Sequence, residues 1–139
     1  MDLATLMFIA YRAMDERVLA AVREAGFEVT TAQARVAQRI ADEGSRLTDL
    51  AAQAQVTKQT ASLQVAALER VGFVERVPDP TDRRASLIRF TERGRRARDR
   101  ARQEVAAVER EWEEHLGPEL AGCLREALTR LREVTDPYR

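Results

Sequence analysis

Cysteine is nearly absent from this chain of 139 residues, and aromatic residues make up only 5% of it. The single cysteine, Cys123, excludes an intramolecular disulfide framework and a multi-cysteine metal site. The apolar run Leu3–Tyr11 is too short to span a membrane, and it lacks the basic flank and the small-residue cleavage site of a secretory signal. These absences predict a cytoplasmic protein that does not enter a membrane.

Patterns of catalytic and metal-binding residues are missing as well. The sequence contains no Gly-rich phosphate loop and no nucleophile with a nearby base, and its one histidine, His115, limits acid–base chemistry. Glu111 lies four residues before His115 on the same helical face, but one His and one Glu make an incomplete metal site. Cys123 falls beside Leu120 and Leu124, which predicts a buried structural thiol and not a redox sensor. We therefore expect no enzyme, no metal and no cofactor.

Charge is balanced overall but unevenly distributed. The basic side chains are 22 arginines and one lysine, Lys58, against 23 Asp and Glu, so the formal net charge is zero. Residues 83–102 hold nine arginines and two acids, whereas residues 103–119 hold six glutamates and one arginine. Neutrality argues weakly against nucleic-acid binding, but the distribution of charge matters more than its sum. The basic segment begins at a predicted hairpin.

Long amphipathic helices are predicted at both ends of the chain. The first runs from its cap Asp2 to about Arg23, and its apolar band at residues 6–11 is wider than one face packed on a single domain needs. At the C-terminal end, Thr91 caps a long helix, and Gly117-Pro118 separates it from a last one. Helices of this kind are either central or shared with a second subunit.

The middle of the chain predicts short helices and two strands. In order these are a helix from Thr30 or Thr31 to about Asp42 that Gly44 ends, a faint strand near Leu47, a helix over 49–55 capped by Thr48, a helix over 58–71 ended by Gly72, and strands over 73–77 and 85–90. The predicted order is α-α-(β)-α-α-β-β-α-α, a mainly α protein with a small β-hairpin. A chain of this length is one domain and can bury its own core.

The helices at 49–55 and 58–71 have the pattern of a helix-turn-helix, in which a short helix supports a second one for entry into the major groove. Small apolar residues suit the contact between them: Leu50, Ala51, Ala54, Val56, Ala61, Val65 and Leu68. Five polar residues and one leucine remain to face outward: Thr57, Lys58, Gln59, Thr60, Ser62 and Leu63. Thr, Gln and Ser can hydrogen-bond base edges or phosphates, Lys can neutralise a phosphate, and Leu can meet a thymine methyl. Taken alone, such a stretch is more often a solvated helix surface, and the arginine hairpin that follows it favours DNA.

The turn between the two predicted strands presents two arginines, Arg83 and Arg84. Pro80 fixes its own backbone angle and pushes Asp79 toward extended geometry, and Asp82 can brace an arginine beside it. Guanidinium groups held on a stiff hairpin suit phosphate or the narrow minor groove of DNA. Together with the helix-turn-helix, the hairpin predicts a winged helix that binds DNA.

Two segments resemble the MarR family of transcriptional regulators, and the similarity extends over essentially the whole chain. The family's wing signature is Asp-x-Arg followed by a hydrophobic strand that ends in Thr-x-x-Gly. Its counterparts here are Asp82-Arg83-Arg84 and Leu87–Gly94. Residues 56–62, leading into residues 68–76, are similar to the family's recognition helix and the chain that leaves it.

The resemblance implies an intertwined homodimer with two winged helices displayed side by side. Residues 1–28 and 92–139 would be the dimerisation helices, and residues 30–91 the DNA-binding lobe of a single MarR-like domain of 139 residues. Arg84 would enter the minor groove, with Asp82 as its bracing carboxylate. The operator would be pseudo-palindromic, with half-sites about 34–36 Å apart. A compact monomer with a folded-back helical hairpin is the alternative.

Regulators of this family often release DNA when a small, frequently aromatic or phenolic, molecule enters the crevice between the dimer helices and the DNA-binding lobe. Candidates to line that crevice are Met7, Phe8, Tyr11, Arg12, Met14 and Phe27. Tyr and Arg could meet a carboxylate or a phenol, and Met adapts to varied shapes. Alternatively, Met7, Phe8 and Met14 are ordinary interface core.

We interpret the chain as a sequence-specific, double-stranded-DNA-binding transcription factor that represses nearby genes. The alternative is a winged-helix protein-interaction module that has lost DNA binding. The intact arginine pair of the wing and the polar recognition face favour DNA.

Overall fold

The computed structural model describes residues 1–138, in which six helices accompany one two-stranded antiparallel hairpin. The elements are α1 (Leu3–Glu24), α2 (Thr31–Ala37), α3 (Leu47–Gln53), α4 (Lys58–Arg70), β1 (Val74–Asp79), β2 (Asp82–Phe90), α5 (Glu92–Leu116) and α6 (Pro118–Thr135). The predicted order of elements is confirmed. The faint strand expected near Leu47 is an isolated bridge between Ser45 and Ile88.

Helices α1, α2 and α5 begin at side-chain caps that the sequence predicts. The Asp2 carboxylate accepts a hydrogen bond from the Thr5 N–H at 2.8 Å. Thr30 forms a reciprocal capping box with Gln33, and the Thr91 hydroxyl accepts from the Gly94 N–H at 3.1 Å. Each cap satisfies a backbone donor that the first turn of a helix leaves unpaired.

Helix α2 is shorter than predicted, because it ends at Ala37 and not near Asp42. Beyond Ala37 the chain tightens, and the Ile40 N–H donates to the Ala37 carbonyl at 3.1 Å. This turn carries Ile40 into the core, where it is buried. The next turn is closed by the Ser45 hydroxyl, which accepts from the Ala41 N–H at 2.9 Å.

Helix α3 begins earlier than predicted, at Leu47, and its N-cap is Arg46 in place of Thr48. Ser45 exchanges two backbone hydrogen bonds with Ile88 of β2, at 2.9 and 2.8 Å. Because the chain is already fixed to the hairpin at Ser45, the helix starts directly after it. Arg46 contributes no side-chain cap, and its guanidinium is used elsewhere.

The core lies where α2, α3, α4, the hairpin and the start of α5 meet. Its most buried members are Val36, Leu50, Val65, Leu68, Phe73 and Ile88. Gly94 allows α5 to enter this arrangement, since a Cβ at that position would lie 1.9 Å from the Phe73 carbonyl oxygen. Thr91 donates to the Gly72 carbonyl at 2.5 Å. Thr91 and Gly94 are the first and last residues of the Thr-x-x-Gly motif, and together they join α5 to the chain leaving α4.

The long helices α1, α5 and α6 extend away from this lobe, with α1 packed on α5 and α5 on α6. Arg17 of α1 donates to Glu104 of α5 at 2.8 Å and also to Glu111. The outward faces of α1 and α6 are apolar and exposed: Leu3, Leu6, Met7, Phe8, Ile9, Tyr11, Leu120, Leu124, Leu128, Leu131 and Val134. Cys123 is also exposed. The prediction of a buried thiol is therefore wrong for the protomer, because α6 has no buried residue within it.

Candidate nucleic-acid interface

The helix-turn-helix consists of α3, a short turn and α4. Five of the seven apolar residues predicted to join the two helices are buried, whereas Ala54 and Val56 are half-buried. Gln55 turns the chain with a φ of 55°, in the left-handed region that few residues other than glycine adopt. The Val56 N–H then donates to the Ala51 carbonyl at 3.0 Å. The turn thereby fixes where α4 starts relative to α3.

Thr57 organises the first turn of α4. Its hydroxyl oxygen accepts from the Thr60 N–H at 3.0 Å and its hydroxyl lies 2.9 Å from the Thr60 hydroxyl. Of the six residues predicted to face outward, Thr57, Lys58, Gln59 and Leu63 are exposed, whereas Thr60 and Ser62 are half-buried. The N-terminal half of α4 thus presents an exposed surface with one positively charged side chain, that of Lys58.

One apolar side chain interrupts this surface. Leu63 is 63% exposed, whereas Val65 and Leu68 on the inner face of α4 are buried. It lies four residues after Gln59, so the two share one face of the helix. An amide beside an aliphatic group suits an adenine edge beside a thymine methyl.

The wing arginines lie in β2 and not in the turn, which is Pro80-Thr81. Pro78 pairs with Ser86 and Asp79 pairs with Asp82, so residues 83–85 have no partner on β1 and form a bulge. A bulge bends a strand and redirects its side chains. Both Arg83 and Arg84 are exposed, and neither guanidinium has a hydrogen bond or ion pair within residues 1–138. The arginines were predicted at the hairpin tip, and the bulge that presents them has no local signal in the sequence.

Asp82 braces the bulge through the backbone. One carboxylate oxygen accepts from the Arg84 N–H at 3.0 Å. Asp82 was predicted to hold the guanidinium of an arginine, and it holds the Arg84 main chain instead. Among the 138 residues that the structure describes, the Arg84 guanidinium has no competing partner.

Asp79 is a residue of this site that sequence reasoning missed. It is only 5% exposed and accepts from the Thr81 N–H at 2.8 Å and from the Thr81 hydroxyl at 2.7 Å. Arg46, at the start of α3, donates to the same carboxylate through Nε at 2.8 Å. The two Thr81 hydrogen bonds and then Arg46 lower the pKa of the Asp79 carboxyl to about 2. The Asp-x-Thr spacing before a turn was a signal for the Thr81 bonds, whereas nothing in the sequence pointed to Arg46.

The six residues predicted to line an effector crevice are distributed along α1 and the loop after it. Met7, Phe8, Tyr11 and Arg12 are exposed, while Met14 and Phe27 are half-buried. Arg12 pairs with Glu16 on its own helix at 2.7 Å. Phe27 packs edge to face on Phe73, with ring centroids 5.8 Å apart.

A cavity of about 440 Å³ lies deeper, between α1, α2, α5 and the core. Its walls are mostly apolar and include Val18, Leu19, Val22, Ala34, Ala97, Ala101 and Val105. Its charged lining residues are Asp15, Arg98, Arg102 and Glu109. None of the six predicted residues is among those that line it.

Within residues 1–138, no group of three or more His, Cys, Asp or Glu side chains is placed to hold a metal ion. Glu111, the neighbour of His115, is paired with Arg17. No helix in the described part of the chain has both the length and the hydrophobicity needed to cross a membrane.

The family model and the solved structures that match this chain point to regulators of the MarR type. Residues 27–85 match the family model of the MarR family. The chain is similar to a crystal structure of MarR, with 25% identity, a TM-score of 0.78 and coverage of 97% of this chain and 98% of that one. It is similar to CouR from Rhodococcus jostii RHA1 bound to p-coumaroyl-CoA, with 27% identity, a TM-score of 0.75 and coverage of 99% and 94%. It is also similar to the transcriptional repressor CouR bound to a 23-mer DNA duplex, with 27% identity, a TM-score of 0.72 and coverage of 94% and 92%. No curated protein matches the sequence at a significant level.

A helix-turn-helix joined to an arginine-bearing hairpin, with long helices at both ends of the chain, defines a winged helix-turn-helix transcriptional regulator. The matched segment contains the whole helix-turn-helix, both wing arginines and the turn between the strands. The chain is thus similar to the MarR family over residues 27–85, and it has the fold of MarR and of the transcriptional repressor CouR over nearly its whole length.

Proposed function

We propose that this protein is a homodimeric, sequence-specific DNA-binding regulator that acts in the cytoplasm as a repressor of nearby genes. The proposal rests on two exposed surfaces of one lobe, which are the start of α4 and the bulge of the wing. The guanidinium groups of Arg83 and Arg84 have no internal partner within residues 1–138, and the start of α4 exposes Lys58 and Gln59. Charged and polar groups left free on a rigid support are suited to phosphates and base edges.

The two surfaces have different roles in this proposal. The start of α4 enters the major groove, where Gln59, Ser62 and Leu63 meet base edges and Lys58 neutralises a phosphate. Arg84, which the bulge of the wing leaves exposed, would enter the adjacent minor groove, which attracts arginine where it is narrow. DNA binding by this fold is supported by CouR, a transcriptional repressor of similar fold that has been solved bound to a 23-mer DNA duplex.

The long helices provide the dimer. Residues 1–28 and 92–139 would interweave with those of a second copy, leaving residues 30–91 as the DNA-binding lobe. Phe8 is 61% exposed and Val134 is 83% exposed in the protomer, and α6 buries no residue. Exposed apolar helix faces of this kind mark an interface, and a two-fold axis would place two α4 helices for half-sites of a pseudo-palindromic operator.

An effector site is the second part of the proposal. The cavity of about 440 Å³ falls in the size range of small-molecule pockets, which are lined mainly by apolar groups with a few polar ones. CouR has been seen with p-coumaroyl-CoA, and a small aromatic ligand of this protein would occupy the cavity. Such a ligand releases DNA only if it binds one spacing of the two lobes better than the other. A thermal-shift screen with aromatic acids tests the site.

A mobility-shift experiment on the upstream region of the protein's own gene tests the DNA-binding role. We expect the wild type to retard this duplex in the presence of excess random DNA. The double variant Arg83→Ala/Arg84→Ala should lose the shift, and Arg96→Ala, which removes another exposed arginine on α5, should retain it. A wild type that does not distinguish the upstream duplex from random DNA would leave the protein-interaction module as the better interpretation. A reporter fused to that region should be more active when the protein is absent if it is a repressor.

A further inference from the structure

The turn that follows α2 is tied to α5 by an ion pair. Arg98 of α5 donates through Nη1 to the Asp42 carboxylate at 2.6 Å, and its guanidinium carbon lies 5.1 Å from the centre of the Phe90 ring. Ile40, in the same turn as Asp42, is buried in the core of the DNA-binding lobe. The turn therefore moves together with the lobe and with the start of α5.

Arg39, one residue before Ile40, makes a second ion pair from this turn. Its backbone is fixed, because its N–H donates to the Val36 carbonyl at 3.1 Å. Its guanidinium donates through Nη1 to the Asp136 carboxylate at 3.4 Å. Asp136 directly follows the last residue of α6. This pair joins the DNA-binding lobe to the end of a helix that packs on α5.

The antiparallel register of α5 and α6 explains why Asp136 reaches the lobe. Arg125 of α6 pairs with Glu109 of α5 at 3.1 Å. Asp136 lies eleven residues after Arg125. Arg98 lies eleven residues before Glu109. Because both helices rise by the same distance per residue, Asp136 returns to the level of Arg98, and the two ion pairs of the turn are neighbours.

The Asp136 carboxylate is held in place for this contact. Its side chain is 12% exposed, and its two oxygens accept from Arg132 Nε and from the Tyr138 N–H, each at 3.0 Å. Arg132 first, then the Tyr138 N–H and Arg39, lower the pKa of the carboxyl group below its ordinary value, so it is charged at neutral pH. Arg132 and Tyr138 orient the carboxylate within its own segment, and Arg39 provides the contact to the lobe.

A second attachment restrains how the lobe can turn. The chain itself joins the lobe to the long helices at residues 25–30 and at the start of α5, and long helices bend. The Arg39–Asp136 pair adds a contact through α6, so α5, α6 and the lobe form a closed triangle. In a two-fold dimer, the tilt of each lobe sets the distance between the two α4 helices, which the half-sites must match.

We propose that Asp136 is a positioning residue that, through Arg39, fixes the tilt of the DNA-binding lobe and thereby narrows the range of half-site spacings that the dimer accepts. This inference rests on the proposed DNA-binding function and specifies how the protein selects among operators. A partly exposed ion pair stabilises a fold only slightly. Its loss is therefore expected to change the choice of spacing while the fold is retained.

Operators that differ only in spacer length test the inference. A duplex that the wild type selects from random DNA is altered by inserting or deleting one base pair at its centre, which moves the half-sites by about 3.4 Å and rotates them by about a tenth of a turn. Fluorescence anisotropy at fixed salt gives the ratio of the affinities for the parental and the altered duplex. We expect Asp136→Asn and Arg39→Gln each to reduce this ratio about three- to fivefold, the range expected for the loss of one partly exposed ion pair.

Three further variants are controls. Arg39→Lys keeps the charge and should retain most of the wild-type ratio. Arg130→Gln removes an exposed ion pair with Glu126 within α6 and should leave the ratio unchanged. The double variant Arg39→Gln/Asp136→Asn should reduce the ratio no further than either single variant, because both substitutions remove the same pair.

The outcomes separate this inference from the proposed function. If the wild type selects no duplex, the DNA-binding function is wrong and this inference is overturned with it. If the wild type binds its duplex but does not distinguish spacer lengths, or if both single variants retain its ratio, the regulator stands and the role of Asp136 is overturned. An equal effect of Arg130→Gln, or additive effects in the double variant, would also overturn that role. Should Asp136→Asn lower the melting temperature, Arg39→Lys decides, and a ratio as low as that of Arg39→Gln overturns the role of the ion pair.

Discussion

The Arg46 guanidinium holds the Asp79 carboxylate at the base of the wing, with Nη2 and Oδ2 2.6 Å apart. Arg46 is the N-cap residue of α3, and Asp79 is the last residue of β1. The first helix of the helix-turn-helix and the strand that leads to the wing tip are therefore joined by one ion pair. Because Asp79 also accepts from Thr81, the same carboxylate fixes the hairpin turn.

We predict that Arg46→Ala weakens operator binding several-fold while leaving the helical content unchanged. Without the guanidinium, the wing loses its attachment to α3, so more conformational freedom must be lost when Arg84 enters the groove. Fluorescence anisotropy at fixed salt measures the effect. Arg89→Ala is the matched control, since Arg89 pairs with Glu75 across the exposed face of the same hairpin at 2.9 Å. Equal affinities for Arg46→Ala and the wild type would contradict a role in holding the wing.

We predict that Asp79 makes folding stability sensitive to acid. Its pKa is lowered from 3.8 in the unfolded chain to about 2 in the folded protein, so the unfolded state binds protons first as the pH falls. The contribution is fully present above about pH 4, is lost progressively as the pH falls toward 2, and is absent below that. Urea unfolding of the wild type and Asp79→Asn from pH 6 to pH 2 should show a smaller loss of stability in the variant. Asp99→Asn, on the exposed face of α5, should follow the wild type; a parallel decline in all three would contradict the prediction.

Elements with a strong local signal could be predicted from the sequence. Asp2, Thr30 and Thr91 are predicted caps, and their side chains cap the helices that follow them. Each cap is a local interaction over three residues. The predicted end of α2 and the predicted start of α3 were wrong because contacts distant in sequence decide both. Ile40 turns into the core, and Ser45 pairs with a strand more than forty residues away.

In the candidate site, too, features with a local signal could be predicted and features set by distant contacts could not. The exposed polar start of α4 follows from its helical periodicity, and the wing arginines follow from their position between two strand patterns. The attachment of the wing through Arg46 joins residues 33 positions apart and has no local signal. The positions of the charged residues in the cavity depend on how α1 and α5 pack, which no single segment determines.

We predict that Lys58→Ala reduces the salt dependence of DNA binding. Lys58 is exposed in the first turn of α4 and has no ion-pair partner within residues 1–138, so its charge is available to a phosphate. Each phosphate contact releases condensed counterions, and its loss should lower the slope of log K against log salt by about 1. Gln59→Ala carries no charge change and should alter affinity without changing the slope. An unaltered slope in Lys58→Ala would mean that this lysine does not contact the backbone.

We predict that Gly94→Ala destabilises the protein by about 1–3 kcal/mol, the usual cost of forcing an extra group into packed structure. The added Cβ would lie 1.9 Å from the Phe73 carbonyl oxygen, and backbone has to move to accommodate it. In Gly122→Ala, on α6, the new Cβ meets no atom of the protomer within 4 Å. That variant should be slightly more stable, because alanine favours a helix over glycine. Thermal unfolding of both variants measures the difference, and equal melting temperatures would contradict close packing at Gly94.

We predict that Leu124→Glu dissociates the dimer. Leu124 belongs to the exposed apolar face of α6, and in a two-fold interface one substitution buries two unpaired carboxylates. Sedimentation velocity at micromolar concentration should show a dimer for the wild type and a monomer for the variant. Leu63→Glu is the control, because Leu63 is equally apolar and more exposed but lies on the recognition helix; it should remain dimeric and lose DNA binding. A wild type that sediments as a monomer would favour the folded-back hairpin, and the apolar faces of α1 and α6 would then require another partner.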